Sequence, residues 1–89
     1  MICKHCFVDG RVQGVFYRSN TYSKAIEIGV NGWVRNLDDG RVEVMMQGKL
    51  EQVDAMHDWL WEGPMMANVT SVQCSDCEPG GYTSFSVTR

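Results

Sequence analysis

The stretch Gly10–Arg18, GRVQGVFYR, lies between a run of β-favouring residues and a helical pattern, and the order of elements in the chain is built around it. Gly10 and Gly14 can adopt backbone angles that are closed to other residues, so the N–H groups between them can converge on one point. Arg18 adds a planar guanidinium group that keeps its charge. A flexible turn directly before a cation predicts a loop that wraps an oxyanion, and phosphate is its natural ligand.

Hydrophobic periodicity and turn residues predict seven elements around this loop. They are strands over residues 5–12, 31–36, 41–47, 67–77 and 82–87, and helices over 17–28 and 50–61. The apolar faces of the helices are predicted from spacings of three and four residues: Tyr22, Ala25 and Ile26 in the first helix, and Leu50, Val53, Met56 and Leu60 in the second. In the third strand, Val42, Val44 and Met46 alternate with Arg41, Glu43 and Met45, so one set faces inward.

The order β-α-β-β-α-β with a small fifth strand predicts an α+β fold, the ferredoxin-like split βαβ sandwich. Right-handed crossovers would place both helices on one face of an antiparallel sheet. The loop would then lie at the N-terminus of the first helix, where unpaired N–H groups and the helix dipole favour an anion. The chain shows no repeat, linker or low-complexity tract, so we expect a single domain over residues 1–89.

Composition restricts the function. The 89 residues are 44% hydrophobic and 21% charged, and no stretch approaches the roughly 18 apolar residues of a membrane helix. The N-terminus turns polar at once, which predicts a cytoplasmic protein rather than a secreted one. A net charge of −3 gives nucleic acid no general attraction to the surface. The local balance around the loop differs, because Arg11, Arg18, Lys24 and Arg35 are basic while the acids gather elsewhere, so a small anion could be drawn to one end.

Four cysteines form two Cys-x-x-Cys pairs, Cys3/Cys6 and Cys74/Cys77, which is the ligand spacing of a zinc site. Both pairs fall in or beside predicted strands, where residues three apart point to opposite faces. This arrangement favours small apolar packing residues over zinc ligands. A third interpretation rests on strand register, because the residue numbers of Cys3 and Cys77 have the same sum as those of Cys6 and Cys74. Directly opposed residues of antiparallel strands have this property, so disulfides under oxidation are a further hypothesis.

The loop sequence closely resembles the phosphate-binding signature of the acylphosphatases, small enzymes that hydrolyse the mixed anhydride of a carboxylic acid and phosphate. A second block, GWVRNLDDGRVEVMMQG from Gly32 to Gly48, resembles the second signature of the same family. Nearly the whole chain fits the family in length and element order.

The resemblance implies that Arg18 binds the phosphoryl group and that Asn36 orients the attacking water. The backbone N–H groups that bind the substrate would come from Gln13, Gly14, Val15, Phe16 and Tyr17. It further implies a metal-free reaction that releases inorganic phosphate from small acyl phosphates such as acetyl phosphate, carbamoyl phosphate or 1,3-bisphosphoglycerate. We expect no cofactor, and a monomer is the default for so small an enzyme.

The sequence does not match the motifs of other phosphate-binding enzymes. A Walker loop would need lysine and a hydroxyl residue after the glycines, and a phosphocysteine mechanism would need a cysteine six residues before the arginine, where Val12 stands. Asp38 and Asp39 beside Gly40 are interpreted as turn formers, not metal ligands. Three alternatives stay open: a binding or regulatory module on the same scaffold, an RNA-binding variant, which the acidic balance disfavours, and a relic with trace activity.

Overall fold

The computed structural model describes residues 1–89. Its elements, in chain order, are β1 (Ile2–Arg11), α1 (Tyr17–Ile28), β2 (Asn31–Asn36), β3 (Val42–Gly48), α2 (Leu50–Glu62), β4 (Asn68–Asp76) and β5 (Phe85–Val87). The predicted bounds of α1 and β2 are confirmed. β1 begins at Ile2 rather than His5, and β5 begins at Phe85 rather than Tyr82.

The five strands form one sheet in the order β4-β1-β3-β2-β5. The four longer strands pair antiparallel, as predicted for the ferredoxin-like sandwich, but β5 pairs parallel with β2 and makes the sheet mixed. The alternate strand residues and both helices contribute to one core of 16 buried residues, so the helices lie on one face. Neither helix has the length and apolar character needed to cross a membrane.

The buried face of α1 differs from the predicted one. Tyr17, Thr21 and Ala25 face the core, whereas Tyr22 is 41% exposed and Ile26 55% exposed. Thr21 can be buried because its hydroxyl donates a hydrogen bond to the Tyr17 carbonyl at 2.7 Å. The prediction of Tyr22 and Ile26 as core residues was therefore wrong.

Helix α2 follows its prediction at three of four positions. Val53, Met56 and Leu60 are buried, but Leu50 is the first helical residue and is 58% exposed. The backbone N–H of Gly63 donates to the carbonyl of Trp59 and ends the helix there.

β1 reaches the loop through a change of register against β4 between Asp9 and Gly10. Gly10 has a φ of 124°. A side chain there would collide with the backbone carbonyl of Asn68, so only glycine allows this close approach.

The sheet face opposite the helices carries a buried carboxylate. Glu43 is only 5% exposed, and it accepts hydrogen bonds from His5 (2.6 Å) and Arg35 (2.5 Å). Burial raises the pKa of Glu43, but the hydrogen bonds from Arg35 and His5 outweigh that effect and leave the pKa below its ordinary value. The predicted alternation separates Glu43 from the core residues Val42 and Val44, and His5 and Arg35 contact it on the other face.

Two disulfides join β1 to the edge strand β4, Cys3 to Cys77 and Cys6 to Cys74. The predicted register is confirmed, because Cys6 lies directly opposite Cys74 and the Cys77 N–H donates to the Cys3 carbonyl at 3.1 Å. Cys6 lies in the core, and Cys3 contacts Met45 outside it. The two pairs thus occupy opposite faces of the sheet, a geometry that does not fit four thiolates around one zinc ion.

We predict that Glu43→Gln destabilises the protein by about 2 kcal/mol at neutral pH, because Arg35 and His5 lose their charged acceptor. A carboxyl group with a lowered folded-state pKa contributes stability above its unfolded pKa of about 4.3, and this contribution is lost as the pH falls through the folded-state value. Denaturant unfolding at pH 7 and pH 3 should show the difference between parent and variant shrink in acid. The exposed Glu78→Gln is the control, and a constant difference would contradict the assignment.

The contributions of the two disulfides to stability should be non-additive because the bridges are nested. Their sequence separations are 74 and 68 residues, so either bridge alone closes a long loop and contributes about 4 kcal/mol in the chain-entropy model. Once one bridge exists, the second closes only a short ring and adds about 2 kcal/mol.

Replacing one cysteine pair by alanine should therefore cost about 2 kcal/mol, and replacing both pairs should cost about 6 kcal/mol. Denaturant unfolding without reductant measures both quantities, and the parent in excess reductant provides the matched comparison. A loss from removing both pairs that only equals the sum of the two single losses would refute the nested arrangement as the source of the stability.

Candidate active site

The loop between β1 and α1 presents unpaired backbone donors. Residues 12–16 lie outside any helix or strand, and none of their N–H groups donates a hydrogen bond within the protein. The first hydrogen bond into α1 is donated by Asn20, so the N–H groups of the first helical turn are also unpaired. Gly14 has a φ of 73°, in the left-handed region that glycine adopts without strain. The result is a cluster of donors suited to an anion.

Tyr17 anchors the loop to the core. Its side chain is 1% exposed, and its hydroxyl donates to the Leu60 carbonyl at 2.7 Å. Burial raises the pKa of Tyr17 well above its ordinary value, so the phenol stays protonated. Of the predicted substrate-binding residues, Tyr17 can therefore offer only its backbone N–H to a ligand, and Val15, which is also buried, is in the same position.

Gln13 fastens the loop to the turn between β2 and β3. Its side-chain amide donates to the carbonyls of Leu37 at 2.8 Å and Arg41 at 2.9 Å. The predicted site residue Gln13 thus directs its side chain away from a ligand, and it holds the loop beside the end of β2. In the same turn, Asp39 accepts hydrogen bonds from the backbone and side chain of Arg41, which confirms its role as a turn former.

A cleft of about 340 Å³ opens between the loop, the end of β2 and β5. The structure brings the predicted residues Gly14, Phe16, Tyr17, Arg18 and Asn36 together in its lining. The remaining lining residues, which the sequence interpretation missed, are Val12, Ser19 and Val87. Val12 and Ser19 could have been found as neighbours of the motif, whereas Val87 comes from the far end of the chain with no motif of its own.

Arg18 is the only charged side chain in this lining. It is partly buried, and its guanidinium Nη1 donates to the Thr88 carbonyl at 3.4 Å, which leaves its other donors for a ligand. The predicted gathering of basic residues at one end is only partly realised, because Lys24 pairs with Glu27 and Arg35 pairs with Glu43.

Asn36 is the last residue of β2 and lines the cleft together with residues of the loop. Its side-chain carbonyl oxygen Oδ1 is buried and has no hydrogen-bond partner. A buried acceptor without a donor is costly in a folded protein, so such a group calls for an explanation. No carboxylate, imidazole or thiol lines the cleft, and no group of three or more metal-ligating side chains occurs in the structure.

The fold and the cleft define a small α+β protein whose loop before the first helix presents unpaired N–H groups suited to an anion. A family model of the acylphosphatases matches residues 4–87. An acylphosphatase of Nitrosococcus oceani is 56% identical over 71 residues, covering 80% of each chain, and one of Pseudomonas paraeruginosa is 48% identical over 99% of this chain and 97% of its own. The crystal structure of acylphosphatase from Bacillus subtilis superimposes with a TM-score of 0.97 at 31% identity and covers both chains completely.

The chain belongs to the acylphosphatase family. It is an acylphosphatase enzyme, and an acyl phosphate is the substrate that the family implies.

The anchoring role of Gln13 can be tested with an isosteric change. Gln13→Glu keeps the shape but replaces the amide donor by an acceptor facing two carbonyls, so the loop should detach from the β2–β3 turn. We expect orthophosphate to bind at least about tenfold more weakly, measured as product inhibition, and faster hydrogen exchange in residues 12–16. Gln73→Glu on the exposed side of β4 is the control. Unchanged exchange and inhibition in Gln13→Glu would show that the loop holds its shape without this contact.

Proposed function

We propose that the chain hydrolyses acyl phosphates by direct in-line attack of water, without a covalent intermediate. The carrying observation is the unpartnered Oδ1 of Asn36, a residue that lines the same cleft as the Arg18 guanidinium. Donors such as Arg18 and the loop N–H groups suit the phosphoryl oxygens, and the amide oxygen of Asn36 suits a water molecule that donates a hydrogen bond to it.

In this proposal the phosphoryl group lies in the loop. The N–H groups of Gln13, Gly14, Val15, Phe16 and Tyr17 and the guanidinium of Arg18 contact its oxygens. Phosphoryl transfer proceeds through a loose transition state with charge spread over these oxygens, so fixed donors supply most of the catalysis. Removing one such donor in other hydrolases costs roughly 100- to 1000-fold in rate.

Asn36 orients the attacking water in this mechanism. The amide oxygen can accept a hydrogen bond from water without carrying a negative charge beside the phosphoryl dianion. A carboxylate at position 36 would repel the substrate. Oδ1 has no hydrogen-bond partner within the protein, so no internal contact competes with the water for this acceptor.

The chemistry requires no side-chain acid or base. The leaving carboxylate is the conjugate base of an acid with a pKa of roughly 4 to 5, close to that of an aspartic or glutamic side chain, so it departs without protonation. We propose that the substrate's own phosphate takes the proton of the water. The lining is consistent with this route, because Tyr17 stays protonated and no other titratable base reaches the cleft.

The remaining features of the proposal come from the sequence. We propose that residues 1–89 act as one domain, that the protein is monomeric and cytoplasmic, that its ligands are acyl phosphate and inorganic phosphate, and that it acts without nucleic acid, membrane, metal or cofactor. Disulfides are typical of oxidising compartments, so the two bridges count against the cytoplasmic assignment. Alkylation of thiols during cell lysis, followed by mass spectrometry, would decide between the compartments.

The second candidate is a module that binds an acyl phosphate or phosphate without turning it over. The same loop and arginine would serve it, but the buried acceptor of Asn36 would then have no role. Turnover of substrate separates the two candidates.

The test is hydrolysis of benzoyl phosphate by the purified protein in EDTA, followed by the loss of ultraviolet absorbance. Arg18→Ala should lose phosphate binding and turnover together, whereas Asn36→Ala should bind phosphate while its turnover falls by roughly 100-fold or more. Lys24→Ala, on the same helix outside the cleft, is the control. Normal turnover by either variant would refute its assigned role, and an inactive parent that binds phosphate would favour the binding module.

A further inference from the structure

Phe16 has an unfavourable backbone conformation. With φ 64° and ψ 23°, it is the only residue other than glycine with a positive φ. The left-handed region is uncommon for a bulky aromatic residue and costs on the order of 1 kcal/mol or more. Such a conformation persists only where its surroundings enforce it.

The first turn of α1 enforces it here. The Phe16 carbonyl accepts three hydrogen bonds, from the Asn20 backbone N–H at 3.1 Å, the Asn20 side-chain amide at 2.8 Å and the Ser19 hydroxyl at 3.1 Å. These donors restrain the backbone of Phe16 in this conformation.

The Phe16 side chain lies outside the hydrophobic core. Phe16 is 75% exposed although it lines the cleft. Val87 of β5 lines the same cleft and is 46% exposed. The ring of Phe16 and the side chain of Val87 are thus exposed to water beside the loop. A ligand that covered them would bind more tightly, because apolar surface would be removed from water.

The cleft is also larger than a phosphate group requires. Its volume of about 340 Å³ corresponds to roughly ten water molecules, whereas orthophosphate has five non-hydrogen atoms. Arg18 is the only cation in the lining, so a second anionic group on the substrate would find no counter-charge.

We infer that Phe16 and Val87 form a subsite for the acyl group, and that the preferred substrates are acyl phosphates whose acyl group is uncharged and apolar, of about butanoyl to benzoyl size. The inference rests on the proposed function, because the phosphoryl group must lie in the loop for the acyl group to reach these side chains. It disfavours acyl groups that carry their own phosphate or carboxylate.

A series of acetyl, propanoyl and butanoyl phosphate tests this inference, since their leaving carboxylates have nearly equal basicity. In the parent protein kcat/KM should rise by about tenfold from the acetyl to the butanoyl compound, as expected for two partly covered methylene groups. Phe16→Asn keeps a residue that tolerates the left-handed conformation but removes the ring, so the rise should fall below about threefold. Phe16→Tyr should keep the rise, and so should Ile26→Ala, which removes an exposed side chain of α1 outside the cleft.

Binding of methyl-, propyl- and benzylphosphonate, measured by calorimetry, provides a readout that does not depend on turnover. Affinity that increases along this series in the parent but not in Phe16→Asn would support the subsite even if no substrate were hydrolysed, and the proposed hydrolysis alone would then fail. Turnover with flat kinetic and binding series would overturn the subsite and leave the proposed function in place. A flat binding series without turnover would overturn both.

Discussion

The backbone donors of the loop between β1 and α1 have no acceptor within the protein, and the rest of the structure depends on keeping them in that state. Unpaired N–H groups would ordinarily be satisfied by folding the loop onto itself or by extending the helix. Three contacts prevent this. Tyr17 fixes the start of the helix from the core, Gln13 ties the loop to the neighbouring turn, and the first turn of α1 holds the Phe16 carbonyl. The loop is therefore preorganised, and an anion need not bear the cost of ordering it.

The sheet divides these tasks between its ends. At one end β1, β2 and β5 deliver the loop, Asn36 and Val87 to a common cleft. Towards the other end of β1, two disulfides fasten the β4 segment, at the edge of the sheet, to β1. Cross-links in the strand region leave the loop free of covalent constraint. Stability and ligand binding can thus be altered separately in this fold.

Much of this arrangement could be predicted from the sequence because local patterns determine it. The glycine loop, the bounds of α1 and β2, and the facing cysteines all follow from spacing. The rotation of α1 could not be predicted in this way. Apolar spacing favoured Tyr22 and Ile26, but the burial of Tyr17 and the hydrogen bond of Thr21 to the backbone orient the helix differently. The parallel pairing of β5 depends on a long connection after Cys77, and no local pattern encodes where that connection returns.

The candidate site shows the same division between local and distant information. Arg18 and the loop are contiguous in sequence, and the resemblance to the acylphosphatases covers Asn36, but Val87 and the Thr88 carbonyl reach the cleft only through the final strand. The sequence also cannot reveal that the side-chain oxygen of Asn36 is buried without a partner, because this depends on what surrounds β2 in three dimensions. In the proposed mechanism, that unpartnered oxygen distinguishes the cleft from a simple anion site. An anion needs only donors, whereas a hydrolytic site must also hold a water molecule by one of its protons, and a neutral amide oxygen can do so without opposing the charge that the loop is built to bind.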